Sequence, residues 1–385
     1  MVCGFFEPGF KAGGPIRSVA QIIYSAAEDI DVTLITSDRD LGDTQPYPHL
    51  SGKWVETNGV KIFYFNKRNV SQWVTLAAYL RPSRYDVLYL NSLWSPTYSL
   101  LPLLASKIRG IKAKTILVAP RGEMSDGALS IHRNKKRSAM ILWRRLLGTT
   151  KTQWHASTEL EAAEITRIFP HAQIYVFPDQ SDLLGKVLLP PDHRPRGPVR
   201  FVFISRIARM KNLLLALQAM RKMNTPATLD IYGPVEDESY WQLCQQEIER
   251  LPQQTQVHYC GTLTPNQIRD TFLRYDAFVF PTLGENFGHV IPESLSASCP
   301  VICSDFTPWT ALLNSGGGAV VSPLGAEALA TTLSDWAQRD PVLLHKARLD
   351  AATAYESWYE AQSSLNVIDH ICDQRPSSHQ GVLGS

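Results

Sequence analysis

Short apolar runs rich in Val, Ile, Phe and Tyr alternate along this chain with longer, helix-like stretches. That alternation is typical of βα units wound into parallel sheets. In the first half it predicts strands at 2–6, 31–37, 61–65, 86–92, 114–120, 152–157 and 173–178. In the second half it predicts strands at 200–205, 228–233, 256–261, 277–282, 300–305 and 318–322. The pattern therefore indicates an α/β protein with two doubly wound sheets.

The two series of strands are separated by the segment 179–198, which holds four prolines and two glycines. Such a composition favours an extended connection over a helix or a strand. We therefore predict a first domain over 1–178, this linker, and a second domain over 199–354. A final helix over 355–373 is expected to cross back to the first domain, and the polar tail 374–385 is expected to have no regular structure.

Composition narrows the classes of function. No run in the 385 residues approaches the roughly 18 consecutive apolar residues of a membrane-spanning helix. The formal net charge of +2 is too small for a dedicated nucleic-acid binder, so no nucleic-acid partner is expected. Six cysteines are scattered without a CxxC pair, which favours reduced, buried thiols in a cytoplasmic protein.

The first motif that follows a predicted strand is Gly13-Gly14-Pro15-Ile16-Arg17, which opens a helix. Ligands of doubly wound sheets bind beyond the carboxyl ends of the strands. Backbone amides at two glycines and the positive end of a helix dipole suit an anion, and Arg17 strengthens that preference. A plain tight turn is the alternative, because the GxGxxG spacing of a dinucleotide site is absent.

The second motif, SRIARMKN over 205–212, follows the first strand of the second domain. Arg206 and Lys211 lie five residues apart across a turn into a helix, so a guanidinium and an ammonium can converge on one pyrophosphate. Basic groups at the start of a helix oppose its dipole unless an anion is bound, which makes a purely structural role the weaker alternative.

The third motif, GENFGHVIPE over 284–293, places Glu285 in a loop and Glu293 about one turn inside a helix. Both carboxylates can face one pocket, where Glu285 would accept hydrogen bonds from sugar hydroxyls and Glu293 from a ribose. The backbone amides of 286–288 are free donors at the start of that helix. Two acids on a solvated surface are the alternative.

Taken together, GGPIRSVAQ, SRIARMKN and GENFGHVIPESLSASCPVICSD resemble the family 4 retaining glycosyltransferases, over nearly the whole chain. The resemblance implies the GT-B fold, in which two Rossmann-like domains face each other across a cleft. It implies that catalysis depends on Glu285, Arg206 and Lys211. It further implies a donor site formed by Gly13, Gly14, Gly233, Asn286, Phe287, Gly288 and Glu293.

The implied reaction moves a hexose-type sugar from a nucleotide-diphosphate sugar to a glycan or a lipid-linked glycan, with retention at the anomeric carbon. Synthesis of a surface polysaccharide is the expected context. We expect same-face attack, with the leaving diphosphate stabilised by Arg206, Lys211 and the amides of the glycine turn. No DxD motif stands at a suitable strand end, so neither a metal nor another cofactor is expected.

Residues on the first domain are candidates for the acceptor side of the cleft. They are Arg17, Asn91, Trp94, Arg121, Asp126 and His155. Arg121 stands in a Pro-Arg-Gly turn where many family members have Pro-His-Gly, and it is expected to bind a phosphate or carboxylate rather than move a proton. Trp94 suits either a sugar face or an ordinary core, and a lone histidine such as His155 is more often structural.

The segment 132–147, HRNKKRSAMILWRRLL, combines six basic residues with a short apolar run. Such a basic amphipathic helix suits an anionic membrane surface. It would bring a cytoplasmic enzyme to a lipid-linked acceptor at the inner face of the cytoplasmic membrane, as a peripheral protein. A solvated helix with one packed face is the alternative.

Other functions use similar phosphate sites. A nucleotide-sugar epimerase or hydrolase and a phosphorylase of the same architecture remain alternatives, as does a non-catalytic protein that binds a sugar nucleotide. A nicotinamide dehydrogenase is disfavoured, because the dinucleotide fingerprint is absent.

Overall fold

The computed structural model describes residues 1–125, 129, 133–147, 152–178, 186–190, 197–361 and 366–373, with the side chains of 133–139 excepted. These residues form two α/β domains, each built on a mainly parallel sheet. The predicted fold class of two doubly wound domains is confirmed. The predicted strands other than 2–6 each overlap an observed strand.

The sheet of the first domain is assembled around the amino terminus. Its described strands are β1 (Thr33–Ser37), β2 (Trp54–Thr57), β3 (Val60–Phe65), β4 (Arg84–Asn91), β5 (Lys112–Ala119), β6 (Thr152–Ala156) and β7 (Gln173–Val176). The pairing orders are β1-β3-β2 and β4-β5-β6-β7. Val2 forms single parallel bridges to Ile35 of β1 and Leu90 of β4, so it links the two groups of strands.

Two details of the first sheet differ from the prediction. The strand expected over 2–6 is wrong, because only Val2 pairs before the chain turns away at Gly4 and Pro8, residues that interrupt strands. The antiparallel strand β2 was missed. It joins β3 through Asn58 and Gly59, whose φ angles of 50° and 76° fit the two-residue turn of a hairpin.

The sheet of the second domain is parallel throughout its described strands. They are β8 (Val199–Ile204), β9 (Ala227–Tyr232), β10 (Thr255–Tyr259), β11 (Ala277–Phe280), β12 (Val301–Ser304) and β13 (Gly318–Val321). Their spatial order is β10-β9-β8-β11-β12-β13, so the chain adds strands on one side of β8 and then on the other, and the switch point lies between β8 and β11. Every residue of β11 and β12 is buried, as expected for central strands covered on both faces.

Helices pack against both sheets. In the first domain they are α1 (Gly14–Tyr24), α2 (Val70–Leu80), α3 (Leu101–Lys107), α4 (Arg133–Leu147) and α5 (Glu159–Ile168). In the second they are α6 (Leu213–Lys222), α7 (Glu238–Ile248), α8 (Pro265–Phe272), α9 (Val290–Ser296), α10 (Ala326–Gln338) and α11 (Pro341–Glu360), and α12 (Val367–Asp373) follows. Among the described helices none combines the length and apolar content needed to cross a bilayer.

The single final helix predicted over 355–373 is wrong. The chain instead ends α11 in the second domain and starts α12 on the first, where α12 packs against Ile22 of α1. Asn366 explains the new start: its Oδ1 accepts a hydrogen bond from Ile368 N at 2.8 Å, which caps α12. Its Nδ2 donates to the carbonyl oxygen of Ile22 at 2.7 Å, which fixes α12 to the first domain.

Part of the predicted linker packs against the second domain. Leu188 N donates to Ser296 O at 2.8 Å, and Val187 is buried in the core of that domain. Residues 179–185 and 191–196 of the linker and the tail 374–385 lie outside the described residues.

The cysteines are free thiols, and five of the six are buried. Burial raises the pKa of Cys299 and Cys303 to about 12, which keeps those thiols protonated and unreactive. The expectation of buried thiols is wrong for Cys260, which is exposed just beyond β10.

Candidate functional site

A cavity of about 840 Å³ lies between the two domains, beyond the carboxyl ends of their strands. Residues that follow β5, β8, β9 and β11 line it, together with the amino-terminal turns of α1, α5 and α9. This position is where open α/β sheets bind ligands, and the volume is that of a site for a nucleotide-sized molecule.

The glycine turn forms one edge of the cavity. Gly13 has a φ of 70°, a left-handed conformation that favours glycine, and α1 begins directly after it with no acidic residue in its first turn. A Cβ on Gly14 would lie 2.9 Å from Cδ2 of His289 in the opposite domain. The predicted turn therefore leaves the positive end of α1 facing the cavity, at a point where the domains touch.

Arg206 and Lys211 both line the cavity, after β8. The guanidinium of Arg206 forms an ion pair with Glu236. Lys211 ends a short helical turn, and its Nζ lies 2.6 Å from Oε1 of Glu285. The side chains of Lys211 and Glu285 are only 14% and 9% exposed, so this pair lies largely out of solvent, where charges interact strongly. The structure thus brings two of the predicted catalytic residues together.

Two hydrogen bonds hold Glu285 at the cavity wall in addition to its ion pair with Lys211. Its Oε1 also accepts a hydrogen bond from Thr282 Oγ1 at 2.9 Å, and its backbone N donates to Phe306 O at 3.0 Å. A carboxylate oriented in this way is a suitable acceptor for ligand hydroxyl groups.

Glu293 lies in the first turn of α9, and its carboxylate forms an ion pair with Arg17 of α1 across the domain boundary. Burial raises the pKa of the Glu293 carboxyl, while Arg17 and Arg269 oppose that change. Arg17 was predicted as an acceptor-side residue, and the structure places it on the predicted ribose-binding carboxylate instead. Its function as an acceptor contact remains a prediction.

The loop between the two glutamates is shaped by Phe287 and Gly288. The ring of Phe287 is buried against Trp309 and Trp358, and its carbonyl oxygen accepts a hydrogen bond from Trp309 Nε1. Gly288 has a φ of 79°. The aromatic side chain therefore anchors the loop from behind, and the turn at Gly288 leads into α9.

Gly233 lies at the end of β9 in the cavity wall. Its φ is 142°, and a Cβ there would lie 1.8 Å from the carbonyl oxygen of Ser205. Only glycine fits so close to that backbone. Because Ser205 precedes Arg206, Gly233 also determines where the loop that carries Arg206 can lie.

Arg121 reaches the cavity from a strained turn of the first domain. Its φ of 57° is in the left-handed region, as is the 74° of Gly122. The guanidinium donates through Nε to Asn91 Oδ1 and through Nη2 to the hydroxyl of Tyr89, each at 2.7 Å. A strained residue held from several sides is a common feature of functional sites.

His155 does not line the cavity, so its prediction as a cleft residue is wrong. It is buried, with Nε2 2.9 Å from the carbonyl oxygen of Phe177 and Nδ1 2.8 Å from the hydroxyl of Tyr89. A carbonyl only accepts, so Nε2 carries the proton. In the neutral ring Nδ1 then accepts from Tyr89, and His155 supports Arg121 from behind.

Two further acceptor candidates are also absent from the described cavity wall. Asn91 is buried, and its Oδ1 accepts a hydrogen bond from Arg121, which does line the cavity. Trp94 packs against the core of the first domain, and its Nε1 donates to Glu123 O at 3.3 Å. Of the two alternatives for Trp94, a sugar face or an ordinary core, this packing fits the ordinary core. Asp126 lies outside the described residues.

Several residues of the site were missed from the sequence. Asp40 Oδ2 accepts from the backbone N of Phe10 and Lys11 at 2.7 and 3.0 Å, which fixes the loop before the glycine turn. His289 Nε2 lies 3.0 Å from Ser18 Oγ in the other domain. The position of Asp40 just after a strand was the available signal, whereas the contact of His289 depends on how the domains meet.

Known proteins resemble this chain in sequence and in structure. Residues 190–353, which include most of the second domain, match the model of the family described as glycosyl transferases group 1. O-antigen chain mannosyltransferase B of Escherichia coli is 24% identical over 204 residues, which cover 48% of this chain and 51% of that protein. The teichuronic acid biosynthesis glycosyltransferase TuaC of Bacillus subtilis, a putative assignment, is 24% identical over 29% of this chain and 28% of its own.

Solved structures match over most of the chain. HepE of Anabaena in complex with UDP-glucose gives a TM-score of 0.70 at 14% identity, over 96% of this chain and 97% of that one. Sucrose-phosphate synthase of Thermosynechococcus elongatus gives 0.65 at 17% identity, over 90% and 92%. At such identities the likeness shows the fold alone.

The matched region spans about half the length of the first curated relative. The family model covers most of the second domain, including Arg206, Lys211, Glu285 and Glu293. Residues 190–353 of this chain match the glycosyl transferases group 1 family, and its two domains have the GT-B fold.

Proposed function

We propose that this chain is a retaining glycosyltransferase of family 4, which moves a hexose-type sugar from a nucleotide-diphosphate sugar to a glycan or lipid-linked glycan acceptor. The observation that carries the proposal is the convergence of Arg206, Lys211 and Glu285 with the amino-terminal turn of α1 on one cavity between the domains. Two cations and a helix start suit a diphosphate, and a buried carboxylate beside them suits sugar hydroxyls.

Proteins similar to this chain support a donor and a context of this type. HepE, a protein with the same fold, has been crystallised with UDP-glucose. The two curated relatives carry names that refer to O-antigen and teichuronic acid, which supports surface-polysaccharide synthesis as the context.

In the proposed reaction the acceptor oxygen bonds to the anomeric carbon on the face from which the diphosphate leaves. The bond between that carbon and the diphosphate oxygen breaks, and the proton of the acceptor hydroxyl passes to the leaving diphosphate. Arg206 and Lys211 stabilise the charge that develops on the leaving diphosphate. Glu285 holds a sugar hydroxyl, and Glu293 exchanges Arg17 for the ribose hydroxyls when the donor binds. Arg121 faces the acceptor side, where its permanent charge suits a phosphate or carboxylate.

Product analysis tests this reaction. The protein is incubated with UDP-glucose, UDP-N-acetylglucosamine or GDP-mannose and an octyl glycoside acceptor, and products are examined by mass spectrometry and NMR. The proposal requires a glycosylated acceptor with the anomeric configuration of the donor. An inverted product would contradict retention, and an isomerised or hydrolysed donor with no acceptor product would indicate an epimerase or hydrolase.

We propose that the enzyme needs no metal, because Arg206 and Lys211 supply the positive charge that a divalent cation would otherwise bring to the diphosphate. The rate of transfer is therefore expected to stay within about twofold in excess EDTA. The measurement is the initial rate with and without the chelator. Loss of activity that Mg²⁺ or Mn²⁺ restores would contradict the proposal.

We propose that α4 brings the enzyme to an anionic membrane surface. Ile141 and Leu142 are 57% and 46% exposed, and Arg144 and Arg145 beside them are exposed too, whereas Trp143 packs inward. Apolar side chains flanked by cations suit the headgroup region of a bilayer. These observations support a peripheral location on the inner face of the cytoplasmic membrane.

Liposome flotation tests the membrane proposal. Wild-type protein is expected to float with vesicles that contain about 30% phosphatidylglycerol, and R144E/R145E is expected to stay with the soluble fraction, because each cation contributes on the order of 1 kcal/mol at an anionic surface. K112E/K114E, a charge reversal of the same size on β5, is the control and should float like the wild type. Equal flotation of wild type and R144E/R145E would contradict the proposal.

A further inference from the structure

A chain of hydrogen bonds crosses from the loop of Glu285 in the second domain to the Arg121–Gly122 turn in the first. Asn286 Nδ2 donates to Ser157 Oγ at 2.5 Å, and Ser157 Oγ donates to Glu161 Oε2 at 3.0 Å. The other carboxylate oxygen, Oε1, accepts from Gly122 N at 2.7 Å. Glu161 therefore connects the two loops, directly to one through the Gly122 amide and indirectly to the other through the Ser157 hydroxyl.

Glu161 is suited to fix a backbone position. It is buried at 2% exposure in the first turn of α5, where its own N donates to Thr158 Oγ1 at 3.1 Å. Its carboxylate accepts a third hydrogen bond, from Ser157 N at 2.9 Å. A buried carboxylate that accepts several backbone and hydroxyl donors is held in one orientation.

The turn that Glu161 holds needs such support. Arg121 is a non-glycine residue with a φ of 57°, and the amide held by Glu161 belongs to the very next residue. Left-handed backbone at such a residue persists only where its surroundings impose it. The direction in which the Arg121 guanidinium enters the cavity thus depends on the Gly122 amide as well as on Tyr89 and Asn91.

The contact with the second domain is close. A Cβ on Gly122 would lie 2.9 Å from Cβ of Asn286, so the turn and the loop touch directly in this arrangement of the domains. Oδ1 of Asn286 is buried with no hydrogen-bond partner among the described residues, which leaves its amide nitrogen as the group that spans the boundary.

We propose that Glu161 is a positioning residue that sets the Arg121–Gly122 turn, and that Asn286 is the group through which closure of the domains reaches it. When the domains close, the Asn286 amide orients the Ser157 hydroxyl toward Glu161, and the carboxylate in turn holds the turn that presents Arg121. The effect on sugar transfer rests on the proposed function, whereas the coupling between the two loops does not.

Hydrogen exchange followed by mass spectrometry tests the coupling without any turnover. In Asn286→Ala the backbone amides of 121–125 are expected to exchange about fivefold faster or more than in the wild type, although the substitution is in the other domain. Ser18→Ala is the matched control, because it removes the contact to His289 across the same boundary, but Ser18 is not part of the hydrogen bonds that run from Asn286 to Gly122. It should leave exchange at 121–125 unchanged.

Unchanged exchange at 121–125 in Asn286→Ala would overturn the proposal, and so would an equal increase in Ser18→Ala. With a donor that supports transfer, Glu161→Gln is expected to lower kcat about 10- to 100-fold with the KM for the donor within about twofold, because the donor-holding residues are untouched. Adding Asn286→Ala to Glu161→Gln should lower kcat little further, since both residues belong to the same connected series of hydrogen bonds. Additive losses of kcat would show that Asn286 and Glu161 act independently and would contradict the proposed coupling. If the wild type transfers no sugar, the hydrogen-exchange result alone tests the coupling.

Discussion

Arg206→Ala is expected to lower the rate of sugar transfer by about 10²- to 10³-fold. The guanidinium lies in the cavity wall, and its partner Glu236 is an exposed carboxylate that a diphosphate can replace. Stabilisation of the leaving diphosphate is the main catalytic contribution in the proposed reaction, so its loss should appear in kcat. The measurement is the initial rate at saturating donor.

Arg209→Ala is the matched control for that experiment. Arg209 lies three residues away in the same basic motif, but it is half-exposed and donates to Asp237 at 3.0 Å, and it is not among the described residues that line the cavity. Exposed ion pairs contribute little, so the rate should stay within about twofold. Equal losses in the two variants would remove Arg206 from the mechanism.

Gly233→Ala is expected to destabilise the second domain by about 3 kcal/mol or more, which corresponds to a fall in the melting temperature of about 6–12 °C. The new Cβ would lie 1.8 Å from Ser205 O, a backbone atom that cannot move without displacing the end of β8. Because Arg206 follows directly, stabilisation by a bound nucleotide should be lost as well. Thermal melting with and without nucleotide measures both effects.

Gly261→Ala separates backbone strain from the steric clash. Gly261 has a φ of 82°, but a Cβ there would meet no atom within 4 Å, and its carbonyl oxygen accepts from the N of Gly233. Only the cost of the left-handed conformation is expected, about 1–2 kcal/mol or a fall in the melting temperature of about 2–8 °C. A similar fall in both variants would show that the contact with Ser205 is unimportant.

The alternation of apolar runs was sufficient to predict the two sheets, since buried parallel strands such as β11 are continuous apolar segments. It failed where a strand is short and half-exposed. β2 (Trp54–Thr57) carries no buried residue, and only the Asn58-Gly59 turn marked the hairpin. The division between α11 and α12 depends on the contact of Asn366 with α1, which no local pattern contains.

The second-domain side of the site was more predictable than the first-domain side. Arg206, Lys211, Glu285 and Glu293 lie in local motifs directly after strands, and all four line the cavity. Asn91 and His155 lie at the carboxyl ends of β4 and β6, but whether such a residue faces the cavity or supports another side chain depends on tertiary contacts. Here Asn91 is hydrogen-bonded to Arg121 and His155 to Tyr89, so both residues support other side chains instead of facing the cavity.

Binding of a nucleotide sugar in the cavity between the domains underlies the whole proposed reaction, and a thermal-shift measurement detects such binding without turnover. The protein is screened against UDP, GDP, ADP and their common sugar conjugates, and the screen is repeated with Glu293→Ala. At about 100 times its Kd a ligand adds about 2.7 kcal/mol of stability. We expect one nucleotide and its conjugates to raise the melting temperature of the wild type, and we expect the increase to be lost in the variant. No increase with any of them, or an equal increase in Glu293→Ala, would contradict binding in that cavity.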